Sequence, residues 1–442
     1  MKKILVLGAG LVSKPLVRYL LDQPDFFVVM ASRTVSKAEN IIDGHPDGEA
    51  LSINSEDNDM LEKLIKESDL TVSLLPYMYH VKVAKYCLKH KKHLVTTSYV
   101  SDEMKELDND AKDAGVILLN ECGLDPGIDH MSAMRVIHNV EKEGGKVVSF
   151  RSTTGALPSH EANNNPFGYK FSWSPRGVLL ASLNPSKWLQ DDEIISIPGE
   201  KLFENYSIQD VPGVGSFENY PNRNSIPYKD IYGLDDAKTV YRGTFRMTGW
   251  CETMRNIVKL GWLNEKPLGD FKGRTYGDLT RFLIGTNSTS DLAKSTSDFL
   301  NLSIYSTVVK RFEWLGLFGD EYLPEDKKNN ALDYFNVLTL RKMFLGENER
   351  DMIVMHHEFI VKKLQNSEYI TSTLVDYGVH GGDSAISRTV ALPAAIAVKM
   401  ILNEEIMLNG VYIPVIPEIY DPILDELEQV GIKFIDEKKI ID

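Results

Sequence analysis

The sequence predicts an α/β protein: a doubly wound parallel sheet comes first, then a second α/β domain that carries an all-helical insertion. Over residues 1–125, short apolar runs alternate with amphipathic helical segments, a pattern typical of a parallel sheet covered on both faces. After Asp125-Pro126-Gly127 this alternation stops, and strand-rich, loop-rich and helical stretches follow one another. The first sheet is therefore expected to end near residue 127.

The individual elements follow from the spacing of apolar residues. Strands are expected at residues 3–7, 26–31, 70–76, 93–99, 116–121, 146–155, 351–361 and 369–378. Helices are expected at 58–67, 79–91, 102–113 and 128–141. Residues 156–245 are rich in loops, 250–345 have the pattern of several helices, and the apolar helix 390–402 could return to cover the first domain.

Composition narrows the function classes. The chain has 442 residues with 63 acidic and 49 basic side chains, a net charge of -14, which disfavours nucleic-acid binding because phosphate contacts need a basic face. Three widely spaced cysteines without CxxC spacing indicate no disulfide framework. No apolar run approaches the roughly 18 residues of a membrane span, and the run after Met1-Lys2-Lys3 is too short for a signal peptide. We therefore expect a soluble, cytoplasmic protein.

A glycine-rich turn, Gly8-Ala9-Gly10-Leu11-Val12-Ser13, joins the first strand to the first helix. Such a turn lets backbone N–H groups approach a pyrophosphate, and the helix N-terminus adds the positive end of its dipole. Ser13 replaces the third glycine of the usual fingerprint, and glycine turns before helices are common. The strand–turn–helix context, however, is the one that the binding mechanism requires, and it predicts a Rossmann-type dinucleotide site.

The end of the second strand indicates which dinucleotide binds. NAD enzymes usually place an acidic residue there for the ribose 2′-hydroxyl. This chain has Ser32-Arg33-Thr34 instead, and these side chains suit a 2′-phosphate through charge-assisted hydrogen bonds. The alternative is that Arg33 is a solvated loop cation. Its position at the strand end favours NADP.

Further polar and aromatic residues follow predicted strands, where ligands of doubly wound sheets bind. They are Ser73-Leu74-Leu75-Pro76-Tyr77, Ser98-Tyr99 and the segment 121–127. Each also has a structural interpretation. Tyr77 and Tyr99 could pack with their hydroxyls in water, and Asp125 could be the N-cap of the helix that begins near Gly127. Taken singly, these residues leave both interpretations open.

Long motifs make the chain recognisable. They are, in order, GAGLVSKP, ASRT, SLLPY, TTSY, NECGLDPGIDH, NPFGYKFSWSPRGVLLA, YPNRNS, RGTFR, WLGLF, NERDMIV and STLVDYG. Over nearly its whole length the chain resembles the saccharopine reductases, which are the NADP-dependent, glutamate-forming saccharopine dehydrogenases. It also resembles the saccharopine-forming half of the bifunctional lysine-degradation enzymes. Where fungal members carry a cysteine this chain has Thr154, so a thiol there cannot have a general role.

The resemblance implies a three-part architecture. The parts are a dinucleotide-binding domain (1–127 plus about 390–442), a catalytic α/β domain (128–249 and 346–389) and a helical insertion (250–345). Composition changes near residues 127, 250 and 345 agree with these boundaries. The resemblance also suggests a homodimer.

The resemblance implies specific site residues and NADP(H) as the cofactor. The amino-acid site would be lined by Ser98, Tyr99, Asp125, Arg223, Thr244, Phe245 and Arg246. The cofactor would lie along Gly8, Ala9, Gly10, Leu11, Val12, Ser32, Arg33, Thr34, Ile53, Asn54, Ser73, Leu74, Leu75, Leu124, Asp125, Pro126 and Ser174.

Saccharopine carries three carboxylates, so its site needs several cationic donors. Arg223 and Arg246 suit bidentate clamping, and Lys170 could add a point charge. The alternatives are a surface loop residue for Arg223 and an exposed strand cation for Arg246.

In the expected reaction, the amine of glutamate attacks 2-aminoadipate 6-semialdehyde, and the resulting imine is reduced to saccharopine. Asp125 and Tyr99 are the candidate proton donor and acceptor for the loss of water.

Two other functions stay open at this point. One is a related imine reductase of the carboxynorspermidine dehydrogenase type, and the other is a nucleotide-sensing relative without catalysis.

A metal site at His356-His357-Glu358 is not expected, because consecutive residues of a strand point to alternate faces. The physiological direction, towards lysine synthesis or breakdown, is not expected to be readable from sequence.

Overall fold

The computed structural model describes residues 1–269, 271–287, 291–325 and 329–441. The chain divides into two compact units, Met1–Lys146 with Lys362–Asp442, and Val147–Val361. Parts of the predicted insertion (270, 288–290, 326–328) and residue 442 lie outside the described residues.

The strands are β1 (Lys2–Leu7), β2 (Phe26–Ser32), β3 (Gly48–Ser52), β4 (Leu70–Ser73), β5 (His93–Thr96), β6 (Ile117–Leu119), β7 (Lys146–Pro158), β8 (Ser186–Gln190), β9 (Glu193–Ile197), β10 (Ser207–Val211), β11 (Gly215–Pro221), β12 (Thr239–Arg246), β13 (Asp351–Lys362), β14 (Ser367–Tyr377), β15 (Gly410–Tyr412) and β16 (Phe434–Ile440). The helices are α1 (Lys14–Leu21), α2 (Val35–Ile42), α3 (Asn58–Lys66), α4 (His80–His90), α5 (Asp102–Lys105), α6 (Asp108–Ala114), α7 (Ile128–Lys142), α8 (Pro175–Ala181), α9 (Pro227–Ile231), α10 (Trp250–Leu260), α11 (Tyr276–Leu283), α12 (Leu292–Leu300), α13 (Thr307–Leu315), α14 (Ala331–Met343), α15 (Ala385–Leu402) and α16 (Pro417–Gln429).

The first unit contains a seven-stranded sheet in the order β15-β6-β5-β4-β1-β2-β3. All its neighbouring strands are parallel. From β1 the chain winds outward through β2 and β3 on one side and through β4, β5 and β6 on the other. The strand order therefore reverses between β1 and β4, which is where doubly wound sheets bind dinucleotides. The predicted fold class is confirmed.

The apolar strand interiors and one face of each covering helix form the core of this unit. Leu5, Val29 and Leu94 are buried in one layer with Leu64 and Val83 of the flanking helices. The unit also contains the antiparallel pair β14–β16.

The second unit contains strands of a mixed sheet in the order β10-β11-β12-β7-β13. β12 is parallel to β7 and antiparallel to β11. The small hairpin β8–β9 attaches to β12. Residues 250–343 form helices in the part that the structure describes, around an aromatic core that includes Trp250, Trp262, Phe312 and Phe335. The three-part division stays a prediction, but the observed return to the first unit is at Lys362 rather than near 390, since β14 belongs to that unit.

Two expectations need correction. The loop-rich stretch 156–245 contains β8 to β12. β9 and β10 were not predicted because each has only five residues and most of their side chains are exposed, apolar ones included. An apolar helix long enough to cross a membrane is also present: it is α15, with a mean hydropathy of 1.6 over its 18 residues. In the structure 83% of that window is buried, and the helix packs on α1 and α16 of the first unit, as a core helix does.

Candidate active site

The glycine turn after β1 has the geometry that a dinucleotide requires. Gly8 has φ +108°, and a Cβ there would lie 3.0 Å from the carbonyl oxygen of Leu74. The buried Ser13, in the place of the third glycine, donates a hydrogen bond to the carbonyl of Gly10 at 2.8 Å and closes the turn. α1 begins at the next residue, so its N-terminus lies directly after the turn.

A cavity of about 460 Å³ lies beyond the ends of β1, β2 and β4. Ten of the predicted cofactor residues line it: Gly8, Ala9, Gly10, Ser32, Arg33, Thr34, Ile53, Asn54, Leu74 and Leu75. Ile53 and Asn54, in the loop after β3, are therefore at the same cavity as the glycine turn. Leu11, Val12, Ser73 and the segment 124–126 are not among its lining residues.

The cavity has a cationic side that sequence reasoning found only in part. Arg33 lies at the end of β2 and Lys37 one helical turn later, and both are exposed lining residues. Glu56 also lines the cavity, but its carboxylate accepts a hydrogen bond from the Tyr79 hydroxyl at 2.7 Å and lies 3.8 Å from Lys82. The signal that could have identified Lys37 is its place in the first turn of the helix that follows the second strand, next to the Ser32-Arg33-Thr34 segment.

The two candidate proton-transfer residues are together. The Tyr99 hydroxyl donates a hydrogen bond to Asp125 Oδ1 at 3.1 Å. Tyr99 follows β5 and Asp125 follows β6, so the parallel sheet brings their loops to one edge. The N-cap interpretation of Asp125 is wrong: the N-cap of α7 is Gly127, whose N–H donates to Asp129 Oδ1 at 2.6 Å.

A buried imidazole connects the ends of β4 and β5. His80 Nδ1 lies 2.9 Å from Ser73 Oγ, and its Nε2 lies 2.8 Å from Ser98 Oγ. Burial lowers the pKa of His80 to about 4. Ser73 and Ser98 were singled out from the sequence as cofactor and substrate residues, whereas His80 was not, because a histidine at a helix start carries no motif.

The buried Glu121 fixes the loop that carries Tyr99. Glu121 accepts the Val100 N–H at 2.9 Å with one carboxylate oxygen, and its other oxygen is 2.7 Å from His130 Nε2. Glu121 and His130 are both buried, and Glu121 has a left-handed φ of +57°. Glu121 thus has a constrained backbone and fixes the loop that carries Tyr99. This indicates that the conformation of the loop is closely specified.

In the second unit, Arg246 is a buried cation in an aromatic setting. It is 7% exposed, and its guanidinium carbon lies 5.0, 5.6 and 5.9 Å from the ring centres of Tyr169, Trp250 and Tyr220. Among the described residues it forms no salt bridge, and its Nε has no hydrogen-bond partner. The nearest strand neighbour, Glu218, instead accepts the N–H groups of Gly249 and Cys251. The exposed-cation interpretation of Arg246 is therefore wrong.

The other predicted residues of this unit are placed as follows. Arg223 is exposed and left-handed, with φ +53°. Thr244 is half-buried, while the Phe245 ring is fully buried against Phe217, so a ligand contact at Phe245 would involve its main chain. Ser174 is exposed just before α8. Lys170 is buried in an ion pair with Glu349, which corrects its assignment as an available point charge.

The described residues were also considered as possible metal ligands. Within the described ranges, no group of three or more His, Cys, Asp and Glu side chains could hold a metal ion. The three cysteines are buried and unpaired.

Comparisons with known proteins decide the family. The family model described as the saccharopine dehydrogenase NADP binding domain matches residues 4–119, and the saccharopine dehydrogenase C-terminal domain matches residues 123–432. The chain is 38% identical to saccharopine dehydrogenase (NADP+, L-glutamate-forming) of Schizosaccharomyces pombe, over 100% of both chains. It is 37% identical to the Saccharomyces cerevisiae protein of the same name, over 99% of each.

The chain belongs to the saccharopine dehydrogenase family.

Structure comparison agrees. The crystallised apo, histidine-tagged saccharopine dehydrogenase (L-Glu forming) from Saccharomyces cerevisiae matches 99% of this chain with a TM-score of 0.91 and 37% identity, and all of that chain is covered. The boundary between the two family domains, at residues 119–123, falls in the loop after β6 that leads to Asp125. In this member of the saccharopine dehydrogenase family, that loop contains part of the candidate site.

Proposed function

We propose that this chain is an NADP-dependent oxidoreductase that transfers hydride between NADPH and the imine of L-glutamate with 2-aminoadipate 6-semialdehyde, giving saccharopine. The observation that carries this function is full-length identity of 36–38% to three saccharopine dehydrogenases named as NADP-dependent and glutamate-forming. No segment of these relatives is replaced by another domain, since 98–100% of each is covered.

The cofactor cavity suits NADPH. Its glycine turn leaves no room for a side chain at Gly8, and the end of β2 offers Arg33 and Lys37 without the acidic residue that NAD enzymes use. When bound, NADPH supplies the hydride. The turn would hold its pyrophosphate, and Arg33 and Lys37 would favour its 2′-phosphate.

Asp125 and Tyr99 supply proton transfer in this proposal. Loss of water from the carbinolamine of glutamate and semialdehyde needs a proton donor at the departing hydroxyl. The Tyr99 hydroxyl and the Asp125 carboxylate share a hydrogen bond, so a proton can pass between them. The Asp125 carboxylate, while ionised, also favours the cationic iminium electrostatically.

Arg246 is the best candidate to bind a substrate carboxylate. A buried guanidinium without a carboxylate partner is costly, and an anionic ligand would satisfy it. The aromatic rings around it limit the directions from which that ligand can approach. Arg223, in the loop after β11, is exposed and is proposed as a second cation for the anionic substrate.

The same proposal includes a homodimer located in the cytoplasm. An acidic, moderately charged composition and three unpaired buried thiols are compatible with a reducing compartment. Size-exclusion chromatography with light scattering would measure the assembly.

The function is tested by NADPH oxidation in the presence of L-glutamate and 2-aminoadipate 6-semialdehyde. We expect turnover with glutamate and little with diamines in its place. Turnover with a diamine but not with glutamate would support the carboxynorspermidine-type reductase instead. NADPH binding without oxidation of NADPH under any of these conditions would support a nucleotide sensor.

A further inference from the structure

His80 is placed to control a neighbouring side chain. It is the first residue of α4, is 4% exposed, and hydrogen-bonds through both ring nitrogens. Its partners, Ser73 and Ser98, lie at the carboxyl ends of the adjacent strands β4 and β5. A neutral imidazole has one N–H and one acceptor nitrogen, so the two serines cannot be in equivalent roles.

Thr96 favours one of the two nitrogens as the position of the proton. Its hydroxyl donates to the carbonyl oxygen of Ser73 at 2.9 Å, so its only proton is used there. The same oxygen lies 3.4 Å from His80 Nε2 and 3.4 Å from the backbone N of Ser98. Towards both of these nitrogens it can only accept. The network is satisfied when His80 carries its proton on Nε2.

This tautomer orients both serines. His80 Nδ1 accepts from the Ser73 hydroxyl, and Nε2–H donates to Ser98 Oγ. Ser98 therefore cannot donate to the imidazole, and its own proton must point elsewhere. The Ser98 side chain is half-buried, so its hydroxyl is accessible to a ligand. A carboxylate is the acceptor that such a directed O–H binds best.

We propose that His80 is a positioning residue that holds the Ser98 hydroxyl as a hydrogen-bond donor towards a carboxylate of the amino-acid substrate. This inference rests on the proposed function, because it takes Ser98 to line the amino-acid site. Burial keeps the imidazole neutral at physiological pH, so the donor direction of Ser98 does not change there.

Two amide variants separate this role from simple packing. In His80→Gln the longer side chain can place its amide N–H near the position of Nε2 and keep the donor to Ser98. In His80→Asn the amide reaches only the position of Nδ1 and keeps the contact with Ser73. We expect His80→Asn to raise the KM for saccharopine roughly ten-fold, about the effect of one lost hydrogen bond to a charged group. His80→Gln should restore most of it.

The controls test whether the effect runs through Ser98. In a Ser98→Ala background, His80→Asn should cause no further rise in KM. His90→Gln, at the other end of the same helix, should leave all constants unchanged, since the imidazole of His90 pairs with Glu62, away from the strand ends. The Kd for NADP+, measured by fluorescence, should change less than about three-fold in each variant.

Thr96→Val provides a second route to the same conclusion if a His80 variant does not fold. It removes the acceptor that selects the tautomer, and it should raise the KM for saccharopine only when Ser98 is present. Equal KM values for His80→Gln and His80→Asn, or an undiminished effect in the Ser98→Ala background, would overturn the inference while leaving the function intact. A wild-type protein that neither binds nor turns over saccharopine would instead reject the function, and the inference with it.

Discussion

Arg33 tests the choice of dinucleotide at the level of one residue. It directly follows β2, on the cationic side of the cofactor cavity, where a 2′-phosphate would be bound. Arg33→Ala should raise the KM for NADPH roughly 10- to 100-fold, as expected when a charge-assisted hydrogen bond is lost, and should affect NADH little. Lys37→Ala should act in the same direction. Lys66→Ala, an exposed cation at the end of α3, is the matched control. Equal losses for both dinucleotides would contradict a 2′-phosphate contact.

Asp125 tests the proton-transfer assignment. Asp125→Asn keeps the shape of the side chain and an oxygen that can accept the Tyr99 hydrogen bond, but it removes the carboxylate that can take up a proton. We expect kcat to fall on the order of 10²- to 10⁴-fold, the usual range for a general acid or base, with little change in NADPH affinity. One limb of the pH–rate profile should also disappear. Near-normal turnover with an unchanged profile would exclude Asp125 from proton transfer.

His80 should make folding stability depend on pH. Its pKa is lowered to about 4 from the usual 6.5, so between these values the unfolded chain binds a proton that the folded protein does not. The contribution of His80 to the free energy of unfolding is therefore fully present above about pH 6.5, and it decreases as the pH falls towards 4. From pH 7 to pH 5 the free energy of unfolding should lose on the order of 2 kcal/mol from this residue.

The measurement is urea unfolding of the wild type and of His80→Gln at both pH values. The wild type should lose more stability than the variant. The carboxylates whose pKa is lowered, such as Glu161 at about 2, titrate below this window and so contribute little to the difference. An identical loss in both proteins would mean that the imidazole titrates normally.

The backbone geometry of the turn between β1 and α1 can be tested by replacing its two glycines. Gly8 has a left-handed backbone and a close neighbour in the Leu74 carbonyl, whereas a Cβ at Gly10 would meet nothing within 4 Å. Gly8→Ala should therefore lower the free energy of unfolding of the cofactor-free protein by about 1–3 kcal/mol. Gly10→Ala should not, although both variants should weaken NADPH binding, because an added Cβ would keep the pyrophosphate from approaching the backbone N–H groups of the turn. Equal stabilities of the two variants would contradict this geometry of the turn.

Elements that bury a regular apolar pattern could be predicted. Two strands of the first sheet, β3 and β15, were not predicted: β3 has no fully buried residue, and β15 has only three residues. The other five were predicted because both of their faces are covered, although β4, β5 and β6 end earlier than their apolar runs. In each case the excess residues are the loop that carries site residues, so the apolar pattern alone does not mark the strand end. The exposed strands β9 and β10 were missed for lack of such a pattern.

The apolar helix α15 shows why hydropathy alone was insufficient. Its composition would allow it to span a membrane, yet the helix is enclosed by α1, α16 and the sheet of its own unit. Only the packing of the other elements distinguishes a core helix from a spanning one.

At the scale of the whole molecule, the site was predictable where strand ends define it. The order of the parallel sheet brings Tyr99 next to Asp125 and places Ser32, Arg33 and Leu74 around one cavity. The burial of Arg246 and the pairing of Lys170 with Glu349 were not predictable, since both depend on tertiary neighbours far along the chain. The same holds for His80, whose partners lie on two different strands.

Saccharopine oxidation coupled to NADP+ reduction is the activity on which the other assignments depend. The most direct measurement is saccharopine-dependent reduction of NADP+ by the purified wild-type protein, compared with NAD+ under the same conditions. We predict reduction that requires saccharopine and has a kcat/KM at least about ten-fold higher with NADP+, the effect of one charge-assisted contact. No reduction of either dinucleotide, or a preference for NAD+, would contradict this assignment.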